Sequence, residues 1–294
     1  MRQLLKPARA SQAAAAAGAA SAAAAEVIAP PPEMNPAAAA FFDVDNTLMR
    51  GASIYHFARG LAARNMFTPL DLLKMTWVQV AYRLRGKEDS GHIDAVRQSA
   101  LAFVADHTVA DIVELGEQIY DETMAQRIWQ GTRDLALRHL AAGERVWLVT
   151  ATPVELANIL SSRLGLTGAL GTVAEARDGV YTGRLVGGLL HGEAKAEAVR
   201  ALAAREGLDL SLCSAYSDSA NDLPMLQLVG HPHVVNPDGR LLAEARQQGW
   251  PVHDFRSGRR ATLIALPLAA GLGAVAGGIV AGVALKRRRS RELY

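Results

Sequence analysis

The sequence predicts an α/β protein with a parallel-sheet core, an all-helical insertion and a C-terminal transmembrane helix. Short apolar runs that end at polar residues recur at residues 37–42, 145–150 and 212–217, as strands of an open parallel sheet do. Helical periodicity fills the chain between the first two runs. Residues 261–285 contain no charged residue, and an uncharged run of this length is long enough for a helix to cross a bilayer.

Length and charge limit the classes of function. A chain of 294 residues can form one large domain or a core with an insertion. The formal net charge of +2 provides no strong electrostatic attraction for nucleic acid, so none is expected as a partner. A single cysteine, Cys213, excludes a disulfide within the chain and fits a reducing compartment.

Residues 1–36 form a low-complexity segment rich in alanine and proline. Alanine favours a helix but offers little side chain to bury, so a fraying helix or no fixed structure is expected. A signal peptide is the alternative, because Arg2, Lys6 and Arg9 precede an apolar stretch. Alanine is barely hydrophobic enough for that second interpretation.

The core is predicted to consist of residues 37–53 and 131–256, with residues 54–130 inserted as a helical domain. Helical spacing is clear at its start, where Ile54, Phe57 and Leu61 fall on one face. No convincing strand interrupts the insertion. In the core, helices are predicted at 133–142, 153–164 and 193–206, a hairpin at 172–176 and 180–185 around Asp178-Gly179, and short strands at 233–236 and 251–252. His231 and His233 are interpreted as a loop pair.

The apolar segment 261–285 is predicted to span a membrane, and residues 286–294 form a basic tail. Its interlocked small-residue pairs, Gly273/Gly277 and Gly278/Gly282, suit helix-mediated self-association in lipid. A buried or disordered Gly/Ala-rich tail is the alternative. Basic residues lie on both sides of the segment, so they leave its orientation open. The lone cysteine and the lack of a strong signal-peptide pattern favour a cytoplasmic location for the domain before this segment.

Polar residues follow the predicted strands, and the carboxyl ends of parallel strands meet at one edge of a sheet. The residues expected there are Asp43, Asp45, Thr150, Asp218 and Asp222, with Lys195 at the start of a helix. Several carboxylates in one cleft require a cation, and hard oxygen ligands suit Mg²⁺ that bridges to a phosphate. The lysine, the threonine hydroxyl and nearby backbone N–H groups suit phosphate oxygens.

Four short motifs strengthen this interpretation when they are taken together. They are Asp43-Val-Asp45-Asn-Thr47, Val149-Thr150-Ala151-Thr152, Lys195 in Gly-Glu-Ala-Lys-Ala-Glu, and Tyr216-Ser-Asp218-Ser-Ala-Asn221-Asp222. This set resembles the motifs of the haloacid dehalogenase superfamily, and the helical insertion after the first motif resembles its phosphoserine-phosphatase-like branch. The resemblance covers roughly residues 38–255 and implies a Rossmann-like core with a mobile helical cap.

The resemblance also implies roles for individual residues. Asp43 would be the nucleophile that forms an aspartyl-phosphate, and Asp45 the general acid and then the base. Mg²⁺ would be held by Asp43, the Asp45 backbone carbonyl and Asp218, with Asp222 in the surrounding shell. Thr150, Ala151 and Lys195 would bind the phosphate, and Asn221 would support the fourth motif.

One position departs from the pattern of that branch. Phosphoserine phosphatases place a glutamate nine residues after the nucleophile, and this chain has Ala52 there. Strict phosphoserine specificity is therefore not expected. Arg50 places a cation near the cap hinge, which would favour an acidic or bis-phosphate substrate. A solvent-exposed loop residue is the alternative interpretation of Arg50.

The sequence thus predicts a Mg²⁺-dependent phosphomonoester hydrolase tethered to a membrane. Its substrate would be a small phosphorylated molecule or a phospholipid head group. A phosphotransferase on the same fold is one alternative. A catalytically silent membrane-tethered binding protein is another, although no motif residue is lost. Hydrolytic dehalogenation is disfavoured, because it has no need of the leaving-group acid that Asp45 supplies.

Overall fold

A computed structural model describes residues 5–28, 35–64 and 107–256 of the chain. Its helices are α1 (Leu5–Ala24), α2 (Ser53–Ala63), α3 (Val109–Ile119), α4 (Gln130–Ala141), α5 (Val154–Leu164), α6 (Glu193–Glu206), α7 (Leu223–Leu226) and α8 (Gly239–Gln248). Its strands are β1 (Ala39–Phe42), β2 (Arg145–Pro153), β3 (Gly168–Thr172), β4 (Ala174–Arg177), β5 (Val180–Leu185), β6 (Ser214–Ser217), β7 (His231–Val235) and β8 (Val252–His253).

Six strands form one parallel sheet in the order β3-β2-β1-β6-β7-β8. The inner strand β1 is buried along its whole length, as its continuous apolar sequence predicts for a strand covered on both faces. Phe42 is in register with Leu148 of β2 and with Tyr216 of β6. The predicted α/β fold with a parallel sheet is confirmed, and this register brings the carboxyl ends of three strands together.

The predicted hairpin is present as the antiparallel pair β4–β5. Asp178 and Gly179 have φ values of 52° and 78°, as the two central residues of a type I′ turn require. Its first arm begins at Ala174, two residues later than predicted. The preceding residues 168–172 form β3 of the main sheet, which the sequence analysis missed because this buried run of small residues shows no alternation.

Two other boundaries differ from the predictions. The third core strand begins at Ser214, because residues 210–212 form a turn of 3₁₀ helix. The short strand predicted at 233–236 is present as β7, but it begins two residues earlier, at His231, so the interpretation of His231 and His233 as a loop pair was wrong. Strand β7 pairs with β6 on one side and β8 on the other, which explains why a segment that begins His-Pro-His is extended.

The helical insertion crosses to and from the sheet at two adjacent segments. Met49 and Ile128 form an antiparallel bridge, and the Arg50 N–H donates to the carbonyl of Arg127 (2.9 Å). We call residues 49–52 and 126–129 the hinge. Helix α2 leaves this hinge, and α3 returns to it through a π turn and a 3₁₀ turn over residues 120–127. Residues 65–106, which make up most of the predicted helical insertion, lie outside the described residues.

Helix α1 corrects the expectation that the alanine-rich segment would fray. It packs along α6, and Ala17, Ala22 and Ala25 are buried. Small side chains allow this close approach: a Cβ on Gly18 would lie 2.5 Å from the Cβ of Glu197. The segment is therefore stabilised by tertiary packing, even though each alanine buries little area.

The predicted membrane segment 261–285 and the basic tail 286–294 lie outside the described residues. Within residues 5–28, 35–64 and 107–256, no helix has the length and apolar character that a membrane crossing requires.

Candidate active site

Asp43 follows β1 directly and has 5% of its surface exposed. Its backbone N–H donates to the carbonyl of Tyr216 (2.9 Å), which fixes the start of the loop against β6. Both carboxylate oxygens accept hydrogen bonds. Lys195 Nζ donates to Oδ1 (2.6 Å) and Thr47 Oγ1 donates to Oδ2 (2.8 Å). Groups from two separate elements therefore hold this carboxylate in one orientation.

Thr47 reaches back to the strand because the loop turns sharply before it. Asn46 has a φ of 62°, in the left-handed region that Asn tolerates better than most residues. The Thr47 hydroxyl is fully buried, and it also lies 3.4 Å from Asp218 Oδ1. A hydroxyl carries one hydrogen and so donates fully to one acceptor at a time. The distances show that Asp43 is the main acceptor and that Asp218 is a close neighbour.

Lys195 lies in the first turn of α6, and its side chain is buried between two carboxylates. Its Nζ donates to Asp43 Oδ1 (2.6 Å) and to Asp222 Oδ2 (2.7 Å). Burial alone would lower the pKa of Lys195, but the charges of Asp222 and Asp43 outweigh that effect and raise it. The lysine therefore stays charged at neutral pH, as a phosphate-binding cation must.

Asp43, Asp218 and Asp222, which we call the carboxylate cluster, carry more negative charge than Lys195 neutralises. Burial, followed by the charges of Asp43 and Asp222, raises the pKa of Asp218 to about 8. Burial raises the pKa of Asp43 to about 7, against the lowering effect of Lys195. Ser217 Oγ supports the cluster by donating to Asp222 Oδ2 (2.8 Å). A further cation would relieve this excess of negative charge.

The carboxylate cluster has the donor chemistry that suits Mg²⁺. The neighbouring carboxylates of Asp43 and Asp218 offer hard oxygen ligands, and Mg²⁺ commonly takes one or two carboxylates and keeps several waters. Among the described residues there is no group of three or more His, Cys, Asp or Glu arranged to hold a metal ion. Such a group is not required here, because the predicted third protein ligand is the Asp45 backbone carbonyl. That ligand set stays a prediction.

The Asp45 side chain is held by Ser53, the first residue of α2. Its Oδ1 accepts hydrogen bonds from the Ser53 backbone N–H (2.8 Å) and from the Ser53 hydroxyl (2.5 Å). The same hydroxyl lies 2.5 Å from Thr152 Oγ1. Burial raises the pKa of Asp45, although the bonds from Ser53 partly oppose the shift. Asp43 and Asp45 are thus held differently, one by a cation and the other by neutral donors.

Thr150 and Ala151 lie near the end of β2, directly before α5. Phe42 pairs with Leu148, so Thr150 extends two residues beyond the last pair, next to the loop that carries Asp43. The Thr150 hydroxyl is buried and accepts from the Thr152 N–H (3.2 Å), and the carbonyl of Ala151 accepts from Thr172 Oγ1 (2.7 Å). These bonds fix the turn in which backbone N–H groups could meet phosphate oxygens.

The predicted site residues lie at the carboxyl edge of the sheet. They follow β1 (Asp43, Asp45), end β2 (Thr150, Ala151), follow β6 (Asp218, Asn221, Asp222) or lie in the first turn of α6 (Lys195). Asn221 lies on the 3₁₀ turn of residues 220–222, where its N–H donates to Ser219 Oγ (3.3 Å). The turn also positions Asp222 against Lys195. The individual catalytic and binding roles stay predictions.

Sequence reasoning missed two residues of this site. Ser53 is adjacent to Asp45 only through the fold of the hinge, and no local pattern marks it. Thr47 stood in the quoted motif without an assigned role. Its spacing of four residues after Asp43 across a turn was the signal that could have identified it.

Comparison with known proteins gives an independent result. The sequence profile of the family described as haloacid dehalogenase-like hydrolase matches residues 40–227. A Mycobacterium tuberculosis (strain ATCC 25618 / H37Rv) protein named phosphoserine phosphatase SerB1 is 58% identical over 254 residues, which cover 86% of this chain and 82% of the relative. A Neisseria meningitidis protein named histidinol-phosphatase is 29% identical over 221 residues, 74% of this chain and 98% of the relative.

A solved structure shows the same fold. The crystal structure of a protein of unknown function from Bordetella pertussis Tohama I matches with a TM-score of 0.67 at 30% identity. The match covers 74% of this chain and 98% of that protein.

Proposed function

Because this chain belongs to the haloacid dehalogenase-like hydrolases, we propose that it is a Mg²⁺-dependent phosphomonoesterase acting through an aspartyl-phosphate. The observation that carries the proposal is that Asp43 and Asp45, two residues apart, are held by different kinds of hydrogen-bond donor. Asp43 is oriented by the Lys195 cation and the Thr47 hydroxyl, whereas Asp45 is held by the neutral donors of Ser53. Such a pair suits one carboxylate that attacks and one that carries a proton.

In the first half-reaction, an oxygen of Asp43 forms a bond to phosphorus while the bond to the alcohol oxygen breaks. Asp45 gives its proton to the departing oxygen. In the second half-reaction, a water attacks the phosphorus and gives a proton to Asp45, and the bond to Asp43 breaks. Inorganic phosphate leaves, and both aspartates return to their starting states.

Other groups of the chain would stabilise charge during transfer. Lys195 and the turn at Thr150 and Ala151 would bind phosphoryl oxygens, which favours the transition state more than the free enzyme. A Mg²⁺ ion bound by Asp43, Asp218 and the Asp45 carbonyl would supply further positive charge near the phosphoryl group. Asp222 keeps Lys195 in place through the 2.7 Å contact.

Phosphate release by the purified full chain tests the proposal, with a generic phosphomonoester and Mg²⁺. Asp43→Asn keeps the shape of the side chain and removes the nucleophile, so a loss on the order of 10³-fold or more is expected. Asp209→Asn, a change at an aspartate that only caps the turn before β6, is the matched control. An unchanged rate in Asp43→Asn would show that the mechanism is wrong. Added alcohols that collect the phosphoryl group would indicate a phosphotransferase instead.

The relatives support phosphomonoester chemistry but do not agree on the alcohol. One is named for phosphoserine and the other for histidinol phosphate. Ala52 occupies the position where the resemblance expects a glutamate, which supports a substrate other than phosphoserine. The alcohol is therefore proposed below from the hinge.

Membrane tethering through residues 261–285 remains part of the proposal and rests on the sequence. It predicts that the full chain sediments with membranes, whereas a chain ending at Arg256 stays in the supernatant. A cytoplasmic catalytic domain predicts protection from protease in intact cells. A preference for a phospholipid head group would appear as a higher rate on vesicles than on the matching soluble phosphoester. Equal sedimentation of the two chains would contradict the tether.

A further inference from the structure

The hinge holds nitrogen donors that the described part of the protein leaves without acceptors. Arg50 Nε, Arg127 Nε and Trp129 Nε1 are buried and have no hydrogen-bond partner. We call these three residues the hinge donor cluster. Burying a donor without an acceptor is unfavourable, and more so when it carries charge. Three such groups in one short segment indicate a missing partner.

Two of the three side chains are in contact. The Arg50 guanidinium lies over the ring of Trp129, 5.3 Å from its centroid, and Arg50 Nη2 donates to the carbonyl of Gln126 (2.8 Å). Arg127 ends the 3₁₀ turn two residues before Trp129, and its charge lowers the pKa of His56, whose Nε2 lies 3.1 Å from the Arg50 carbonyl. Neither arginine forms an ion pair with a carboxylate in the described ranges.

The backbone at this point holds Arg50 in place. Gly51 has a φ of 84°, and a Cβ there would lie 2.9 Å from His56 Nε2. The same His56 nitrogen lies 3.1 Å from the carbonyl of Arg50. Glycine is needed at this turn, and its conformation keeps Arg50 against the returning segment.

The cluster is on the leaving-group side of the proposed site. Asp45 would protonate the departing alcohol, and Ser53, which holds Asp45, is the first residue of α2. His56 lies one turn further along α2. Burial and then the charge of Arg127 lower the pKa of His56, whereas the charge of Asp45 works in the opposite direction. His56 therefore lies within electrostatic range of both the proton carrier and the cluster.

The chemistry of the cluster selects a ligand class. Arginine and the tryptophan indole donate hydrogen bonds and accept none. Two fixed positive charges without carboxylate partners favour an anion, and a planar guanidinium matches the paired oxygens of a carboxylate or a phosphate. The transferred phosphoryl group would be held elsewhere, by Lys195 and Thr150.

We infer that Arg50, Arg127 and Trp129 bind a second anionic group, a carboxylate or a phosphate, on the alcohol part of the substrate. This inference rests on the proposed phosphomonoesterase function. It makes the hinge a specificity-determining site, because the anion would bind where the cap joins the core. Because Ala52 stands where the resemblance expects a glutamate, the alcohol would be recognised by the hydrogen-bond donors of the hinge and not by a carboxylate.

Matched substrates test the inference on the full chain. Glycerol 3-phosphate is the reference, 3-phosphoglycerate adds a carboxylate, and glycerol 1,3-bisphosphate adds a phosphate. We expect Arg127→Gln and Arg50→Gln to lower the kcat/KM ratio of the preferred anionic substrate to the reference by about tenfold or more, the effect of losing one strong polar contact. Arg50→Lys, which keeps the charge but loses Nε, should fall between. Arg200→Gln, an exposed arginine on α6, should keep the wild-type ratio.

A binding measurement separates the two proposals. Titration of the wild-type protein with D-glycerate or inorganic phosphate should show an affinity that falls about tenfold in Arg127→Gln. Phosphate release with an unchanged ratio and an unchanged affinity would overturn the inference and show that the arginines act as a structural clamp. Binding that depends on Arg127, without phosphate release from any substrate, would overturn the phosphatase proposal and leave the anion site standing.

Discussion

The carboxylate cluster and the hinge donor cluster lie at the two ends of the loop that follows β1, and they carry opposite excesses of charge. At the first, the single positive charge of Lys195, which donates to Asp43 and Asp222, faces three carboxylates because Asp218 lies nearby. At the second, the Nε atoms of two arginines and the Nε1 atom of an indole lack acceptors among the described residues. The difference fits the two proposals made above, a cation at one end of the loop and an anion at the other.

Changing Lys195 to Met tests the carboxylate end with the largest expected effect. The substitution keeps most of the side-chain volume and removes the charge that Asp43 and Asp222 share. We expect a loss of unfolding free energy of about 3–5 kcal/mol, typical of breaking one partner from a buried pair. Phosphate release should fall on the order of 10²–10³-fold. Denaturant titration and initial rates measure the two effects.

Added Mg²⁺ should recover part of the stability of Lys195→Met, because a cation relieves repulsion among the remaining carboxylates. Arg200→Met, on the exposed face of the same helix, is the control. Equal denaturation midpoints for the two variants would contradict the view that the cluster depends on Lys195.

Thr47→Val tests how closely the cluster is positioned, and a smaller effect is expected. Valine fills the same space but removes the hydroxyl that donates to Asp43 at 2.8 Å. We expect activity and Mg²⁺ affinity to fall about 10–100-fold, as when a supporting hydrogen bond behind a metal ligand is lost. The Mg²⁺ concentration for half-maximal rate measures this. Thr47→Ser should restore most of the loss, and if it behaves as Thr47→Val does, the methyl group rather than the hydroxyl is important.

The sequence could predict the carboxylate end because its residues follow strands. Asp43, Thr150 and Asp218 each come directly after an apolar run, and a parallel sheet brings such positions together whatever the loops do. Lys195 was predictable only as part of the complete motif set. The fold class followed from the same strands, and the missed strand β3 was the run of small residues that shows no period.

The hinge end could not be predicted in the same way. Arg127 and Trp129 are separated from Arg50 by the whole helical insertion, and no periodicity links them. Ser53 meets Asp45 because α2 begins at the crossing point, which depends on tertiary packing. The burial of α1 was likewise not predictable from local sequence, because its alanines are buried by packing against α6.

Ser53→Ala tests the link between the two ends, with an effect of about tenfold that should depend on the leaving group. The variant removes the hydroxyl bond to Asp45 at 2.5 Å while the backbone N–H bond remains. An alkyl phosphate needs protonation of its departing oxygen more than an aryl phosphate does. The rate on glycerol 3-phosphate should therefore fall more than the rate on p-nitrophenyl phosphate. Equal losses on both would argue against Asp45 as the proton donor.

The fourth test concerns the stacked rings beside Asp43, in which the protein keeps His233 uncharged. Phe42 stacks on Tyr216 (4.2 Å between centroids), and Tyr216 stacks on His233 (4.6 Å). Burial, followed by the charges of the neighbouring His253, His139 and His231, lowers the pKa of His233 to about 4. A positive charge on His233 would change the electrostatic environment of the carboxylate cluster. This layer should therefore resist protonation and destabilise the fold when it is finally protonated.

The direction of the pH effect follows from that lowered pKa. An unfolded histidine has a pKa near 6.5, so between pH 6.5 and about 4 the unfolded chain binds more protons at this position. Stability is present above pH 6.5 and is lost as the pH falls toward 4. His233→Phe keeps a stacked ring and removes the titration. Between pH 7 and pH 4, the wild-type protein should lose roughly 1–2 kcal/mol more than this variant, after allowance for the partial exposure of the ring.

His231→Asn, at the exposed end of the same strand, is the matched control. It removes only the weakest of the three neighbouring charges that lower the pKa of His233, so its curve should lie much closer to the wild-type curve than that of His233→Phe does. Denaturant titrations at several pH values measure all three proteins. Parallel curves for the wild-type protein and His233→Phe would mean that His233 is not kept neutral by the fold. The ring layer beside Asp43 would then carry charge of its own, and the carboxylate cluster could no longer be treated as bordered by neutral groups.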